Sequence, residues 1–443
     1  MSKALIKPVL RKNMKSFVLK GDVLYSESKD KIAALENAYV VCVDGVCKGV
    51  FKFLPSEYQG LETLDFSGKL IIPGLCDLHV HASQYAFRGL GMDMELMDWL
   101  SINAFPEESK FACEEYANRA YEIFVDALKK SATTRACIFA TRHEGATFLL
   151  MQLLEDTGLV TKVGKVNMDE GAPADLVDES AQSSVQETQR LVEKSREFVR
   201  TKYILTPRFI PCCSDETLAG LEELQCKFDL PVQSHLSENY GEIEWVLENR
   251  DVDFYGQGYD KFGLMGKSKD GKRVPTIMAH CVHSGDREVE LMKQNGVFVA
   301  HCPASNDNLC SGVAPISSYL EKGLKVGLGS DVAGGQTESI FRAMVDAVQA
   351  SKLRWRLFDK SVKPITFANA FYLATKGGGE FFGKVGSFED GYEFDAVVLD
   401  DSMLPHPQSL DLLQRLERFA YLSGDLSGGV AAKFVEGECR SLE

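Results

Sequence analysis

The chain has 443 residues, 45% hydrophobic and 26% charged, and its 49 Lys and Arg against 64 Asp and Glu leave a formal net charge of −15. That balance excludes a dedicated nucleic-acid binder, which needs a basic footprint to meet phosphates, and the apolar fraction is ample for a large core. The twelve cysteines form no C-x-x-C pair and, apart from the adjacent Cys212 and Cys213, are scattered, which predicts reduced thiols and a cytoplasmic location rather than a disulfide framework.

The start, Met1 to Lys15, interleaves Lys3, Lys7, Arg11 and Lys12 with no apolar run, so no secretory signal is expected. No stretch anywhere reaches the roughly 18 apolar residues of a membrane span, so no membrane partner is expected. From Phe17 to Phe53 short runs rich in Val, Phe and Tyr read as strands, with Asp44-Gly45 as a hairpin turn between Tyr39–Val43 and Val46–Phe53. After Ile72 short apolar runs alternate with helical patterns. The candidate strands are Leu75–His81, Thr133–Ala140, Lys162–Met168, Tyr203–Phe209, Leu230–His235, Thr276–His280, Val297–Cys302 and Val326–Asp331. Between them, Glu114–Lys130, Val185–Arg200, Ser214–Phe228, Gly285–Gln294 and Ser339–Lys352 read as helices. This alternation is the signature of a (β/α)8 TIM-type barrel. Asp251–Arg273, rich in Gly and Lys, reads as a surface loop or a lid. Beyond Gly383, Phe394–Leu399 and Ala432–Leu442 return to β-type text. They are expected to rejoin the N-terminal strands in a small discontinuous β-sandwich domain, giving the division 1–72, 73–383 and 384–443.

Polar residues recur at the C-terminal ends of the strand candidates, where barrel enzymes build their sites. The first strand ends in His79-Val80-His81, and residues two apart on a strand point to one side, so both imidazoles can reach one cation. The fifth strand ends in His235, the sixth in His280 and the eighth in Asp331. Glu238 follows His235 by three residues, near enough to serve as a general acid or base. Of the other histidines, His283 reads as structural, His406 as a loop residue, and His143 and His301 as pocket lining or support.

The stretch Pro73-Gly74-Leu75-Cys76-Asp77-Leu78-His79-Val80-His81 resembles the first-strand signature of the amidohydrolase superfamily, and the whole chain resembles its guanine deaminase family. Further matches are His81-Ala82-Ser83-Gln84-Tyr85, Thr206-Pro207-Arg208-Phe209, Ser234-His235-Leu236-Ser237-Glu238-Asn239, Ala279-His280, His301-Cys302-Pro303-Ala304-Ser305-Asn306, Gly327 to Gly335, and Phe394-Asp395-Ala396. The resemblance implies that His79, His81, His235 and Asp331 hold one divalent metal, zinc first and iron as the alternative, since mixed imidazole and carboxylate ligation suits a catalytic zinc and imidazole also suits iron. The bridging lysine of binuclear relatives is replaced by Thr206-Pro207-Arg208, which implies a mononuclear site. It also implies that a metal-activated water attacks guanine, with Asp331 accepting a proton, Glu238 protonating the ring and His280 orienting the water, to give xanthine and ammonia. Gln84, Arg208, Phe209 and His280 would contact the purine, and the implied assembly is a homodimer. Two other readings are an aminohydrolase of the same fold acting on a triazine, cytosine or an adenosine derivative, and a non-catalytic barrel homologue.

Overall fold

Residues 15–440 are described by the computed structural model, so the reading of residues 1–14 and of the last residues of the final strand lies outside the described part. β1 (Phe17–Ser28) pairs antiparallel with β2 (Lys31–Val43), which turns into β3 (Val46–Phe51). Asp44 and Gly45 take left-handed angles, φ 51° and 80°, as a two-residue type I′ hairpin requires. β4 (Thr63–Pro73) lies parallel to the other edge of β1.

The chain then builds parallel strands. β5 (Leu75–His81), β6 (Thr133–Phe139), β7 (Val160–Gly164) and, past the short β8 (Val166–Asn167), β9 (Thr201–Tyr203) form one sheet in the order β5-β6-β7-β9. β10 (Thr206–Pro207) pairs with β8. β11 (Val232–Leu236), β12 (Thr276–His280), β13 (Phe298–His301) and β14 (Lys325–Leu328) form a second parallel sheet in that order. Backbone bonds join the two sheets at both edges: Gln233 N donates to Leu205 O at 2.9 Å, and Asp331 N donates to His79 O at 2.8 Å. The expected helices stand between the strands, including Glu114–Lys130, Asp215–Phe228, Asp286–Asn295 and Ile340–Leu357.

Several expected elements are corrected in detail. The third and fourth strands are each split. At Lys165 the backbone N–H donates to the Tyr203 hydroxyl instead of a ladder carbonyl, and between β9 and β10 the chain changes partner, Ile204 N donating to Val163 O and Leu205 N to Pro231 O. The eighth strand stops at Leu328, because Asp331 adopts φ 46° and cannot continue a ladder. The helix expected at Val185–Arg200 runs over Ala181–Lys194, since Ser180 caps it by accepting from Ser183 N. Asp251–Arg273 is a packed insertion: Tyr255, Tyr259, Leu264 and Met265 are buried, and the Tyr259 hydroxyl bonds Ser234 Oγ at 2.8 Å and donates to His235 O at 2.9 Å, bracing the end of β11.

β15 (Ala396–Leu399), β16 (Val430–Val435) and β17 (Glu438–Cys439) return to the first unit. β15 pairs antiparallel with β4, completing a seven-stranded sheet ordered β17-β16-β15-β4-β1-β2-β3. The rings of Phe17 on β1 and Phe434 on β16 lie 5.2 Å apart, although three strand spacings span roughly 14 Å in a flat sheet. The sheet therefore curls around its own apolar cluster, which includes Leu19, Val40 and Phe394. A helix at Leu412–Tyr421, absent from the sequence reading, is inserted between β15 and β16. The curled sheet is tied to β6 by a buried fork: Arg135 Nε donates to Asp395 Oδ2 at 2.8 Å and Nη2 to Asp395 Oδ1 at 3.1 Å.

Candidate active site

His79 and His81, two apart at the end of β5, turn their rings to the same point as His235 from β11. Nε2 of His81 lies 3.2 Å from Nε2 of His79 and 3.3 Å from Nε2 of His235. Asp331 Oδ1 stands 3.1 Å from His79 Nε2 and 3.4 Å from His81 Nε2. Ligand distances of about 2.0–2.2 Å in a tetrahedral zinc site put neighbouring donors roughly 3.3–3.5 Å apart, so the spacing fits one ion. The tautomer of His235 agrees, because its Nδ1–H donates to Arg208 O at 2.6 Å and leaves the Nε2 lone pair facing the cluster. Burial lowers the pKa of His79, and burial with the neighbouring imidazole of His79 lowers His81 and His235 well below the ordinary value. Neutral rings are the form a cation binds. Burial disfavours the charge on Asp331, but His79, His280 and His81 outweigh it and hold the carboxyl well below the usual carboxylate range.

His280 and Glu238 stand beside this cluster. His280 Nδ1 bonds Asn306 Oδ1 at 2.9 Å, which directs Nε2 toward Glu238 Oε2 at 3.3 Å and Asp331 Oδ2 at 3.6 Å. Burial works against a charged His280, but the Glu238 and Asp331 carboxylates raise its pKa. Burial raises the Glu238 carboxyl, against the pull of His280. The loop carrying Glu238 is held from two sides: Glu242 Oε1 accepts from Glu238 N at 2.5 Å, and Ser237 Oγ donates to Glu288 Oε2 at 2.8 Å. Ser237, His280 and Asp331 take φ of 47°, 71° and 46°, a region that costs an L-residue roughly 1–2 kcal/mol. Backbone strain is thus concentrated where three strand ends aim groups into one site.

The cluster opens into a cavity walled by Leu96, Trp99, Leu100 and Leu309 and reached by Phe209, Gln84 and Arg208. The four metal-ligand candidates, Glu238, His280 and all three remaining substrate-contact candidates are therefore brought together. Arg208 is not free. Its Nη1 and Nη2 donate to Glu108 Oε2 and Oε1 at 2.5 and 3.1 Å, and Gln84 Nε2 donates to Glu108 Oε1 at 2.8 Å. Burial opposes the guanidinium charge, but Glu108 raises the Arg208 pKa.

Glu108, Glu242 and Asn306 escaped the sequence reading. Asn306 stood inside a quoted motif, whereas Glu108 carried no local signal. The other histidines lie outside the cluster: His283 bonds Ser311 O at 2.7 Å and packs on Tyr240, His406 donates to Gln408 O, and His143 precedes the helix Glu144–Glu155. His301 is buried at the end of β13, where burial pushes its pKa down to about 3.

A family model described as the amidohydrolase family matches residues 70–438. The guanine deaminase of Dictyostelium discoideum is 33% identical over 452 residues, covering 95% of this chain and 97% of that protein. The guanine deaminase of Homo sapiens is 35% identical over 400 residues, 88% of this chain and 84% of that one. The crystal structure of guanine deaminase from C. acetobutylicum with guanine bound in its active site superposes with a TM-score of 0.91 at 44% identity, over 96% of this chain and 99% of that chain.

Proposed function

The chain belongs to the amidohydrolase family and to its guanine deaminases, and from that premise we propose that it hydrolyses guanine to xanthine and ammonia. The observation that carries the reading is one cavity lined by His81, His235, Asp331, Glu238, Gln84 and Arg208, with His79 packed against His81 and Asp331 at its base.

His79, His81, His235 and Asp331 would hold the divalent cation, zinc being the ion best matched to this donor set and iron the alternative. When bound, it supplies the Lewis acidity that brings the ionisation of water near neutral pH. Asp331 Oδ2, the oxygen turned toward His280, takes one proton of the attacking water as its oxygen bonds to C2 of guanine. Glu238, whose protonated form burial favours, delivers a proton to the adjacent ring nitrogen, so C2 becomes tetrahedral. His280, aimed by Asn306, orients the attacking oxygen and stabilises the charge that develops on it. As the bond from C2 to the amino nitrogen breaks, Asp331 gives its proton to that nitrogen and the C2 hydroxyl proton passes to the Glu238 carboxylate, so ammonia leaves, a carbonyl remains at C2 and both carboxyls return to their starting states. Arg208 donates to the purine O6, Gln84 meets the ring edge, and Phe209 walls the ring.

The fold reading that goes with this chemistry is a (β/α)8 barrel over 73–383 and a discontinuous β-sandwich domain from 1–72 and 384–443. The backbone bonds at both edges of the parallel sheets support the first part, and the pairing of β4 with β15 and the curl around Phe17 and Phe434 support the second. The same reading takes the enzyme to be a cytoplasmic homodimer, a state that light scattering on the purified protein tests.

The deciding experiment is ammonia release by metal-loaded protein from guanine, adenine, cytosine and ammeline at equal concentration. Guanine should lead by at least about tenfold, or about 1.4 kcal/mol; a smaller margin rejects the substrate assignment.

A further inference from the structure

We propose that Glu108 is the positioning residue that sets the preference of this site for a 6-oxo purine, by fixing how Arg208 and Gln84 present their hydrogen bonds; this rests on the guanine reading above. Glu108 is 1% exposed and stands behind the cavity wall, where its carboxylate accepts from both terminal nitrogens of Arg208 and from Gln84 Nε2. Arg208 and Gln84 themselves face the cavity. Phe105, three residues before Glu108 and so on the same side of the helix Phe105–Ser109, lies under the guanidinium with 5.0 Å between Cζ and the ring centre. One short helix therefore holds Arg208 in its plane and at its face.

Three consequences follow for ligand recognition. The guanidinium charge is neutralised within the wall, so a neutral base can approach without an unpaired cation being buried beside it. The Gln84 amide has one orientation: Oε1 accepts from Ala333 N at 3.2 Å while Nε2 donates to Glu108. Turning the amide over would set Oε1 against the Glu108 carboxylate and Nε2 against the Ala333 N–H, two repulsive contacts in place of two bonds. The remaining Arg208 N–H groups and the remaining Gln84 amide hydrogen are then aimed rather than free to rotate, and a purine that lacks an oxygen at C6 leaves a buried donor unpaired.

The test compares guanine with 2-aminopurine, which carries the reacting amino group on the same ring carbon but lacks the oxygen at C6. With metal-loaded wild type, Glu108→Gln and Glu108→Asp, kcat and KM are measured for ammonia release from each base, alongside metal content. Where 2-aminopurine turns over too slowly, its inhibition constant against guanine replaces its KM. In Glu108→Gln the preference for guanine should fall by at least about tenfold, mainly through a higher KM for guanine, with metal content unchanged. Equal losses on both bases would mark Glu108 as a packing residue only and overturn the assignment. Glu108→Asp keeps the charge with a shorter reach and should give a preference between the two; if only this variant folds, a wild-type preference in it overturns the assignment equally. Wild type that releases no ammonia from guanine rejects the proposed function itself, an outcome distinct from a guanine preference that ignores Glu108.

Discussion

Glu238 Oε2 lies 3.3 Å from Nε2 of His280, so the carboxyl from the loop after β11 and the imidazole that ends β12 face one small volume beside the cluster of His79, His81, His235 and Asp331. Replacing Glu238 by Gln keeps the shape and removes the transferable proton. Glu238→Gln should retain its metal and lose at least about a hundredfold in kcat on guanine, the scale of a lost general acid. A variant within about threefold of wild type would remove Glu238 from the proton path.

Nε2 atoms of His79, His81 and His235 converge at 3.2 and 3.3 Å, an arrangement in which facing lone pairs repel without a cation. Chelation should abolish ammonia release and lower the melting temperature, because an ion bound only by the folded state stabilises it by mass action. About one equivalent of zinc per chain should restore both. Full activity in protein shown by elemental analysis to be metal-free would exclude the assigned role of these residues.

Asp395 anchors the curled sheet to β6 through Arg135, and the two are 1% and 2% exposed. Asp395→Ala leaves the buried guanidinium with Glu393 alone, whose Oε2 accepts from Nη2 at 2.8 Å, and should cost up to about 3 kcal/mol in chemical unfolding. The double variant Arg135→Met with Asp395→Leu should recover much of that loss. A single variant as stable as wild type would show that the fork does not hold the two units together.

Lys433 Nζ is buried on β16, where it donates to Thr133 O at 2.9 Å and Leu128 O at 3.2 Å. Burial pulls its pKa down to about 7 from the ordinary 10.5. Between those values the unfolded chain binds the extra proton, so this group destabilises the fold fully below about pH 7 and ceases to do so as pH rises toward 10.5. Lys433→Met should therefore gain most over wild type near pH 6 and least near pH 9.5 in urea unfolding, at roughly these pH values. A difference between the two proteins that does not change with pH would contradict the burial of a depressed lysine.

Much of the site was legible because its signals are local. The period-two rule places His79 and His81 on one side of a strand, and apolar runs that end in His235 and His280 mark strand termini without any long-range information. The hairpin at Asp44-Gly45 is legible for the same reason, since its turn type demands those residues. The strand breaks were not. Lys165 leaves the ladder for a hydroxyl on Tyr203, and Asp331 leaves β14 with a left-handed backbone while its N–H donates to His79 O on β5. Nothing in the composition of Asp251–Arg273 announces that Tyr259 braces the carbonyl of His235.

Glu107 and Glu108 mark the boundary between the two kinds of information. In the sequence they are identical neighbours, both fit for a solvated face. In the fold Glu107 turns to Lys110 and Tyr116, while Glu108 turns inward to Arg208, a hundred positions away. The sequence by itself determined the strand-end histidines, the placing of Glu238 just beyond one of them, and the family, because backbone periodicity and motif spacing act within a few residues. Only the tertiary structure decided which carboxylate holds the cavity-lining Arg208, because that choice depends on a charge pairing made after distant segments pack and exclude water.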